Sequence, residues 1–414
     1  MLAGPDMTTA ATATSKPRER IACLVMRSVI TRYPSSVFQA ALLQENGFRV
    51  VVCDIDDGGH SAISLPAGIE RHVLERVDDL SAARRSHIPG RKLLNRLMFQ
   101  RKLGTLLQRL KPDLVISYDP PALAMIARLS GFRKPGFVHI WHCHEAAIIS
   151  PDMGWGTRRD IEIAKKAAHL VDCVIVPDRD RLENLFGDFS FSRPPFVVMN
   201  CPRRLESLPS SATPELFGLT EVCGDDARVI YLGSVGAAHG LETAVRSMKL
   251  WPPNSRFVAV GPVSDDYRHQ LLELAVECGY GGRVCVTGPV SPENAWPIRV
   301  GADVFLTGMD LEHPIYRYCA GASNKRFEAM AAGVAQVTNR GPGIEELFVG
   351  PGVAIAVTHD DVEATGAAVS SLLADPDFRR GMGVRARTLH LERYNYEAEF
   401  APVLAQIVAM TERR

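Results

Sequence analysis

Residues 321–347 contain the side chains whose types and spacing most clearly suggest chemistry. They read GASNKRFEAMAAGVAQVTNRGPGIEEL, which predicts a short helix that begins at Asn324 and has Gly333 as its C-cap. Lys325 lies in the first turn, where the positive end of the helix dipole disfavours a cation unless an anion binds beside it. The segment therefore predicts a site for an anionic ligand.

Glu328 follows Lys325 by three residues, so the two side chains share roughly one face of the predicted helix. A carboxylate there can accept two hydrogen bonds from a ribose diol, while the lysine and the helix N–H groups can bind phosphate. The small residues Gly321, Ala322 and Ser323 allow the backbone to approach a ligand closely. This layout suits a sugar nucleotide. The same residues could instead form a capped helix with a solvated Lys325–Glu328 pair.

Length and composition set the broad class of the protein. A chain of 414 residues exceeds what one hydrophobic core usually serves, so two domains are expected. The zero net charge gives no indication of a nucleic-acid partner, and nine cysteines without a CxxC pair are typical of reduced thiols in a cytoplasmic protein. Residues 1–19 lack the apolar stretch of a signal peptide and predict a disordered tail. No apolar run reaches the length of about 18 residues expected of a transmembrane helix.

Strand-like apolar runs alternate with helical patterns along the chain. The first half contains IACLVM, a helix that ends at Gly47, and then FRVVVCDI, KPDLVISYD, GFVHIWH and VDCVIVP. Continuous β-branched runs between helices predict a parallel sheet buried on both faces. The alternation pauses in a Pro- and Ser-rich segment, 205–226, and restarts at RVIYLGS. The predicted fold class is α/β, with two doubly wound, Rossmann-like domains at residues 20–204 and 227–391.

Four stretches of this chain together resemble one enzyme family. NKRFEAMAAGVAQVTNRGPGIEEL, VIYLGSVGAAHGLETAV, VHIWHCHE and LKPDLVISYDPPALAMIARLSG are similar to segments of glycosyltransferases of the two-domain GT-B architecture, in particular the retaining family 4 type. The resemblance extends from about Ile21 to the last helix. It implies an interdomain cleft and a final helix, 392–414, that crosses back onto the first domain.

The resemblance also implies an activity. A glycosyl group would pass from a nucleoside diphosphate sugar (UDP or GDP) to an acceptor, a small molecule or a glycan precursor, that is held by the first domain. The departing phosphate would take the acceptor proton, so no dedicated protein base would be required. Helix dipoles and Lys325 would carry the phosphate charge, so neither a metal nor another cofactor would be required. Stabilisation of the leaving diphosphate would then supply most of the catalysis.

Site residues carried over from the family lie in both halves of the chain. The resemblance implies that Glu328 binds the donor ribose and Lys325 its phosphates, and that amides around Gly321 and Ala322 bind the distal phosphate. In the first domain, His144 would lie near the donor sugar, with Glu145 orienting the acceptor or the imidazole. The other residues implied at the donor site are Gly233, Ser234, His239, Gly240, Ser323 and Asn324.

The chain departs from the family pattern at three positions. An acid that is usual eight residues before Glu328 is replaced by Ala320, so recognition of the donor sugar must differ. The usual arginine after the first strand of the second domain is Ser234, and the usual basic residue before Gly240 is His239. These changes predict a phosphate site that is less basic than in the family.

Other motifs have alternative interpretations. DIDD, residues 54–57, could bind a metal but is more typical of a solvated turn. HIWHCHE places His142 and His144 on one strand face, which favours a hydrogen-bonded pair facing the cleft over a zinc site. A nucleotide-cofactor dehydrogenase is excluded, since RSVITRYPSS contains no glycine where a GxGxxG loop needs three.

Residues 83–111 contain nine Lys or Arg and no acid, with four leucines at helical spacing. Such a segment can dock on anionic lipid, which leaves peripheral membrane contact open. The favoured interpretation is a domain helix that packs Leu93, Leu97, Leu106 and Leu110 on the sheet.

Three function classes therefore remain from sequence. The first is the glycosyltransferase, the second a sugar-nucleotide 2-epimerase of the same architecture, and the third a non-catalytic protein that binds sugar nucleotides. The acceptor, the base of the donor and the oligomeric state are not determined by the sequence.

Overall fold

The computed structural model describes residues 18–59, 63–77, 91–145, 147–150, 153–211, 226–312 and 314–413. Its first domain is built on seven strands in the order β3-β2-β1-β4-β5-β6-β7. These strands are β1 (Arg20–Val25), β2 (Phe48–Asp56), β3 (Glu70–Arg76), β4 (Leu114–Tyr118), β5 (Val138–His142), β6 (Cys173–Val176) and β7 (Phe196–Val197). All strand pairs among the described residues are parallel.

Helices cover both faces of this sheet, as its continuous apolar runs require. The whole of β4 and the whole of β5 are buried, which fits a central strand covered on two sides. The described helices of this domain are α1 (Pro34–Glu45), α2 (Arg91–Leu110), α3 (Asp119–Leu129), α4 (Trp155–Ala167) and α5 (Arg179–Leu185). Gly47 follows α1 with a φ of +79°, which confirms the predicted glycine C-cap.

The second domain repeats the architecture with six strands in the order β10-β9-β8-β11-β12-β13. Its strands, again parallel, are β8 (Ala227–Leu232), β9 (Ser255–Val260), β10 (Val284–Gly288), β11 (Val304–Leu306), β12 (Ala335–Asn339) and β13 (Ala354–Val357). Its described helices are α6 (Leu241–Ser247), α7 (Asp265–Glu277), α8 (Pro292–Val300), α9 (Pro314–Arg317), α10 (Asn324–Ala332), α11 (Val362–Ala374) and α12 (Pro376–Glu392). The predicted α/β class with two doubly wound sheets is confirmed.

The last helix, α13 (Tyr396–Glu412), belongs to the core of the first domain. Tyr396, Phe400, Val403 and Ile407 recur at helical spacing and pack into the same buried cluster as β1 and β4. Asn395 starts the helix by accepting a 3.0 Å hydrogen bond from the amide of Ala398. The chain therefore crosses back onto the first domain, as predicted.

Helix α2 differs from its prediction. Leu106 is buried and Leu110 packs against the sheet, but Leu93 and Leu97 are 51% and 54% exposed. The interpretation that all four leucines pack on the sheet is therefore wrong for the first two turns. The first hydrophobic side chain of α2 that is buried on the sheet is Phe99, and Leu103, Leu106 and Leu107 follow it in the same cluster.

The DIDD motif is also corrected in part. Asp54 is fully buried within β2, where it binds Arg71 at 2.9 Å and accepts from the amide of Ile30 at 3.1 Å. Asp57 pairs with Arg32 at the end of the strand. Because β2 continues to Asp56, the predicted solvated turn does not begin at Asp54.

Three predictions lie wholly or partly outside the described residues. They concern the tail at 1–17, the basic residues of 83–90, and most of the linker, 212–225. Within the described ranges, none of the helices has both the length and the hydropathy of a bilayer-spanning segment.

Candidate active site between the two domains

The predicted site residues follow the carboxyl ends of strands, where ligands bind in open parallel sheets. His144 and Glu145 follow β5 of the first domain, and Gly233 and Ser234 follow β8 of the second. Lys325 lies in the first turn of α10.

His144 is fixed on two sides by hydrogen bonds. Its amide donates to Oδ1 of Asp119 at 2.8 Å, its Nδ1 lies 3.4 Å from Oδ2 of the same carboxylate, and Nε2 lies 3.1 Å from Oγ of Ser36. The ring stacks on Tyr118, with centroids 5.1 Å apart and an angle of 12°. Only 5% of His144 is exposed. The imidazole is therefore held in one orientation at the edge of the first domain.

Asp119 is a functional candidate that the sequence reasoning missed. It follows β4 directly and has a φ of +59°, a left-handed conformation that costs a non-glycine residue of the order of 1–3 kcal/mol. Its Oδ1 accepts from the amides of both His144 and Glu145. The sequence DPP after β4 predicts a sharp turn. It does not predict the hydrogen bonds of Asp119, because the amides that donate them follow the next strand, β5.

His142 supports this arrangement from the core. Its ring lies 4.1 Å from that of His144, and its Nδ1 lies 2.9 Å from Nε2 of Gln39. Tyr118 donates to Oε1 of Gln39 at 2.7 Å. Burial, and then the neighbouring His144, hold the pKa of His142 well below its usual range, so this ring is neutral. The two rings are in contact, but their hydrogen bonds go to other residues and none joins them. Because His142 is fully buried, the prediction that both histidines face the cleft is wrong for His142.

Glu145 lies at the rim with its side chain exposed. Partial removal from water, followed by the nearby Asp119 carboxylate, raises the pKa of Glu145, while Arg181 and His144 oppose the rise. In the described ranges no group of three or more His, Cys, Asp and Glu side chains is placed to hold a metal ion.

Arg181, also missed from sequence, connects the two domains. Its Nη1 donates to the carbonyl oxygen of His144 at 2.6 Å, Nε to that of Tyr318 at 3.1 Å, and Nη2 to that of Ile315 at 3.0 Å. The first acceptor belongs to the first domain and the other two to the second. Asp178 begins the same short helix by accepting from the Arg181 amide at 3.0 Å. One buried guanidinium thus ties His144 to the segment that precedes α10.

Four predicted donor residues come together on the second domain. Lys325 donates from Nζ to Oη of Tyr231 at 2.8 Å, and Tyr231 donates to the carbonyl oxygen of Ser234 at 2.7 Å. The lysine chain passes Gly233, where an added Cβ would lie 3.6 Å from Cε of Lys325. His239 packs on the same tyrosine, with ring centroids 5.4 Å apart.

Burial sets the charges in this cluster. It lowers the pKa of Lys325 to about 7, and the adjacent Arg326 adds to the effect. Burial, and then the positive charge of Lys325, lower the pKa of His239 to about 3, so His239 is neutral near pH 7. The site thus contains an amine that gains its proton near neutral pH, is 9% exposed and has a neutral phenol as its hydrogen-bond partner. A bound anion would stabilise the charged amine.

Two helix N-termini face this region. Gly240 precedes α6 with a φ of +66°, a conformation that favours glycine, and Ser323 precedes α10, which begins at Asn324. Oγ of Ser323 is buried and has no hydrogen-bond partner among the described residues. The first N–H groups of α10 are therefore not capped by the serine before them.

Glu328 and Lys325 do not form the solvated pair that was one interpretation of their spacing. Oε2 of Glu328 accepts from Nη2 of Arg299 at 2.8 Å and from Nε at 3.1 Å, and Arg299 packs over the ring of Trp296. The carboxylate is held by a largely buried arginine of α8. Its role at the donor ribose remains a prediction.

The loop before α10 contacts the first domain instead of presenting free amides. The Gly321 amide donates to Oδ2 of Asp178 at 2.6 Å, and its carbonyl accepts from the Asn200 amide at 2.9 Å. Nδ2 of Asn200 donates to the carbonyl oxygen of Ala322 at 2.9 Å. A Cβ at Gly321 would lie 2.7 Å from the Pro177 carbonyl oxygen, so the approach requires glycine. The predicted phosphate contact at the Gly321 amide therefore requires Asp178 to be displaced.

Comparisons with known proteins agree with the two-domain fold. A family model described as "Glycosyl transferase 4-like domain" matches residues 37–201, and one described as "Glycosyl transferase-like" matches residues 241–405. A GDP-mannose-dependent alpha-(1-6)-phosphatidylinositol monomannoside mannosyltransferase of Mycolicibacterium smegmatis is 25% identical over 313 residues, which are 70% of this chain and 74% of that protein.

Solved structures share the fold over most of the chain. Sucrose-phosphate synthase from Thermosynechococcus elongatus aligns with a TM-score of 0.71 at 17% identity, covering 94% of this chain and 100% of that one. The Anabaena protein HepE in complex with UDP and glucose aligns with a TM-score of 0.70 at 14% identity, with the same coverage. The two sheets, the returning last helix and the two matched family models together show that the chain belongs to the GT-B glycosyltransferases.

Proposed function

We propose that the protein is a retaining glycosyltransferase that uses a nucleoside diphosphate sugar and holds its acceptor on the first domain. The observation that carries this proposal is the buried Lys325 at the uncapped start of α10, with a neutral partner at 2.8 Å. A cation at that end of a helix is stabilised by an anion that binds both the amine and the helix N–H groups. The diphosphate of the donor is such an anion.

The chain's own residues would divide the work between the domains. On the second domain, Lys325 and the first N–H groups of α10 would stabilise the charge that develops on the leaving diphosphate. On the first domain, His144 would contact the donor sugar in an orientation set by Asp119 and Ser36, and Glu145 would orient the acceptor. The leaving phosphate itself would take the acceptor proton, so the proposal includes no dedicated protein base. It includes no metal either, because Lys325 and the helix N–H groups would carry the phosphate charge.

The relatives support a sugar-nucleotide donor but differ in its base. The mycobacterial relative is named for GDP-mannose, whereas HepE was solved with UDP and glucose. Ala320 and Ser234 replace two family residues at the donor site, so the sugar remains open. A cytoplasmic location is also part of the proposal. It is supported by the eight cysteines of the described residues, none of which forms a disulfide and most of which are buried.

A donor panel followed by a product assay tests the proposal. GDP- and UDP-sugars are ranked by the rise they cause in melting temperature, and the best donor is then incubated with and without acceptor candidates. A transferase releases nucleoside diphosphate only when an acceptor is present, and NMR of the product shows the anomeric configuration of the donor. Donor turnover without any acceptor would instead identify a 2-epimerase, and binding without turnover a non-catalytic protein. An inverted product would contradict the retaining mechanism.

A further inference from the structure

A pocket of about 630 Å³ opens on the first domain between the start of α2 and the start of α4. Four arginines line it: Arg27, Arg96, Arg128 and Arg159. Neither His144 nor the donor-site residues line this pocket, and the proposed chemistry does not use it. Arginine suits phosphate because its planar guanidinium can donate two parallel hydrogen bonds.

The positive charge of this pocket is only partly compensated among the described residues. Asp160 forms ion pairs with Arg96 and Arg128, and Glu75 pairs with Arg27 at 3.3 Å. Burial, and then repulsion from the other three arginines, lower the pKa of Arg96 to about 10, although it stays protonated at neutral pH. Four guanidinium groups thus share two carboxylates, and the surplus charge favours an anionic ligand.

Large apolar side chains surround the mouth of the same pocket. Trp155 is 68% exposed at the start of α4, and Leu93 and Leu97 of the pocket wall are each more than half exposed. Leu94 and Met98 extend this surface along α2. Five of the twelve exposed large hydrophobic side chains in the described residues therefore cluster at one place, which is typical of a surface that binds an apolar partner.

The pocket lies on the side of the first domain where its reactive residues lie. Helix α2 connects β3 to β4 within one parallel sheet, so it runs from the carboxyl edge of the sheet back to the amino edge. Its start therefore lies toward the edge at which Asp119 and His144 follow their strands. The start of α4 follows the same edge after β5.

We propose that this arginine pocket binds the phosphate-bearing head group of the acceptor, and that the exposed surface of α2 and Trp155 receives its apolar chain. The acceptor is then an anionic lipid, presented at a membrane surface. This inference rests on the proposed function, because only a transferase has an acceptor. The lipid site itself can be tested without turnover. A soluble phosphate ester would leave the apolar rim without a partner, which is why a lipid is favoured.

The test uses the full-length protein and flotation with two kinds of vesicle. One kind contains phosphatidylcholine alone, and the other contains about one third phosphatidylglycerol. Arg159→Gln removes an exposed pocket charge, and its matched control is Arg109→Gln in the last turn of α2. Leu97→Ser removes an exposed apolar contact, and its matched control is Val384→Ser on α12 of the second domain. Inorganic phosphate is added as a competitor in a separate arm.

We expect binding to the anionic vesicles only. Arg159→Gln should weaken it about fivefold, and Leu97→Ser should weaken it by about tenfold or more, because a leucine side chain then stays in water. Neither control should change it. If Arg159→Gln and Arg109→Gln weaken vesicle binding equally, the attraction is a diffuse effect of charge, and the assignment of the pocket as the phosphate site is overturned. If millimolar phosphate releases the protein from the vesicles and Leu97→Ser has no effect, the proposal of a lipid acceptor is overturned. A lack of binding to either kind of vesicle would also overturn it.

These outcomes separate this inference from the proposed function. If the protein binds vesicles but no sugar nucleotide raises its melting temperature, the lipid site is supported and the transferase is contradicted. Acceptor-dependent release of nucleoside diphosphate with a water-soluble acceptor, together with no vesicle binding, would support the transferase and overturn the lipid site.

Discussion

Nη1 of Arg181 donates a 2.6 Å hydrogen bond to the carbonyl oxygen of His144, although Arg181 also binds two carbonyl oxygens of the second domain. The residue that would meet the donor sugar is therefore tied to the segment that leads into the donor-binding helix. A second contact across the same interface joins the Gly321 amide to Asp178. Because both contacts involve backbone groups, relative movement of the domains must exchange these hydrogen bonds for others.

The donor site predicts two binding mutants. Lys325→Met removes the buried amine and Glu328→Gln removes the charge opposite Arg299, so each should weaken binding of the best nucleoside diphosphate sugar by about 1.5–3 kcal/mol, the usual worth of a hydrogen bond to a charged group. Isothermal titration calorimetry with the donor measures these affinities. Lys249→Met and Glu363→Gln are matched controls, since these two residues form an exposed ion pair on the same domain. Unchanged affinity in both site mutants would rule out the assigned roles.

The pKa of Lys325, lowered by burial to about 7, predicts a pH dependence of donor binding. The diphosphate binds the protonated amine, so affinity should fall with increasing pH above about 7, by up to about tenfold per pH unit. Titration of nucleoside diphosphate binding from pH 7 to 9 checks this. Lys325→Met should have a flat profile over that range. An equally steep profile in the mutant would assign the dependence to another group.

The parallel sheets were predictable because their signal is local. Continuous apolar runs such as VDCVIVP predict buried strands wherever they occur, and Gly47 and Gly333 mark helix ends through their own φ values of +79° and +70°. The same applies to the start of α10 at Asn324, since a run of small and helix-forming residues follows a glycine turn.

The missed site residues depend on contacts that are distant in sequence. Asp119 meets His144 only because β4 and β5 are neighbours in the sheet, and Arg181 meets Tyr318 across the interface. The exposure of Leu97 was missed for a related reason. Its helical spacing matches that of a buried leucine, and only the tertiary structure shows that the buried side chains of α2 begin at Phe99.

Metal independence is a further prediction. If Lys325 and the N-terminus of α10 carry the diphosphate charge, transferase activity should survive exhaustive chelation or fall only modestly. The assay compares turnover before and after EDTA treatment, with Mg²⁺, Mn²⁺ and Zn²⁺ added back separately. Abolition by EDTA and rescue by one of these ions would show that the enzyme needs a metal, and the Asp54–Asp57 and His142–His144 segments would then be mutated first.

His144 tests the division of labour between the domains. Because its ring is positioned by Asp119 and Ser36 on the first domain, whereas Lys325 holds the nucleotide on the second, His144→Ala should lower turnover by about 10²–10⁴ and leave nucleoside diphosphate affinity nearly unchanged. Asp119→Asn, which keeps the shape but not the charge, should lower turnover less. Turnover, affinity and melting temperature are measured on one preparation of each variant.

The alternative is that His144, which is only 5% exposed, is a core histidine whose loss destabilises the fold. His139→Ala is the matched control, since His139 is equally buried in β5 and lies 2.9 Å from Oγ of Ser117. We expect this control to lower the melting temperature while the folded fraction keeps normal turnover. If His144→Ala behaves in the same way, with a large drop in melting temperature and normal residual turnover, its contact with the donor sugar is excluded. A large loss of turnover at a nearly unchanged melting temperature would place His144 at the reacting sugar, because loss of packing alone lowers stability first.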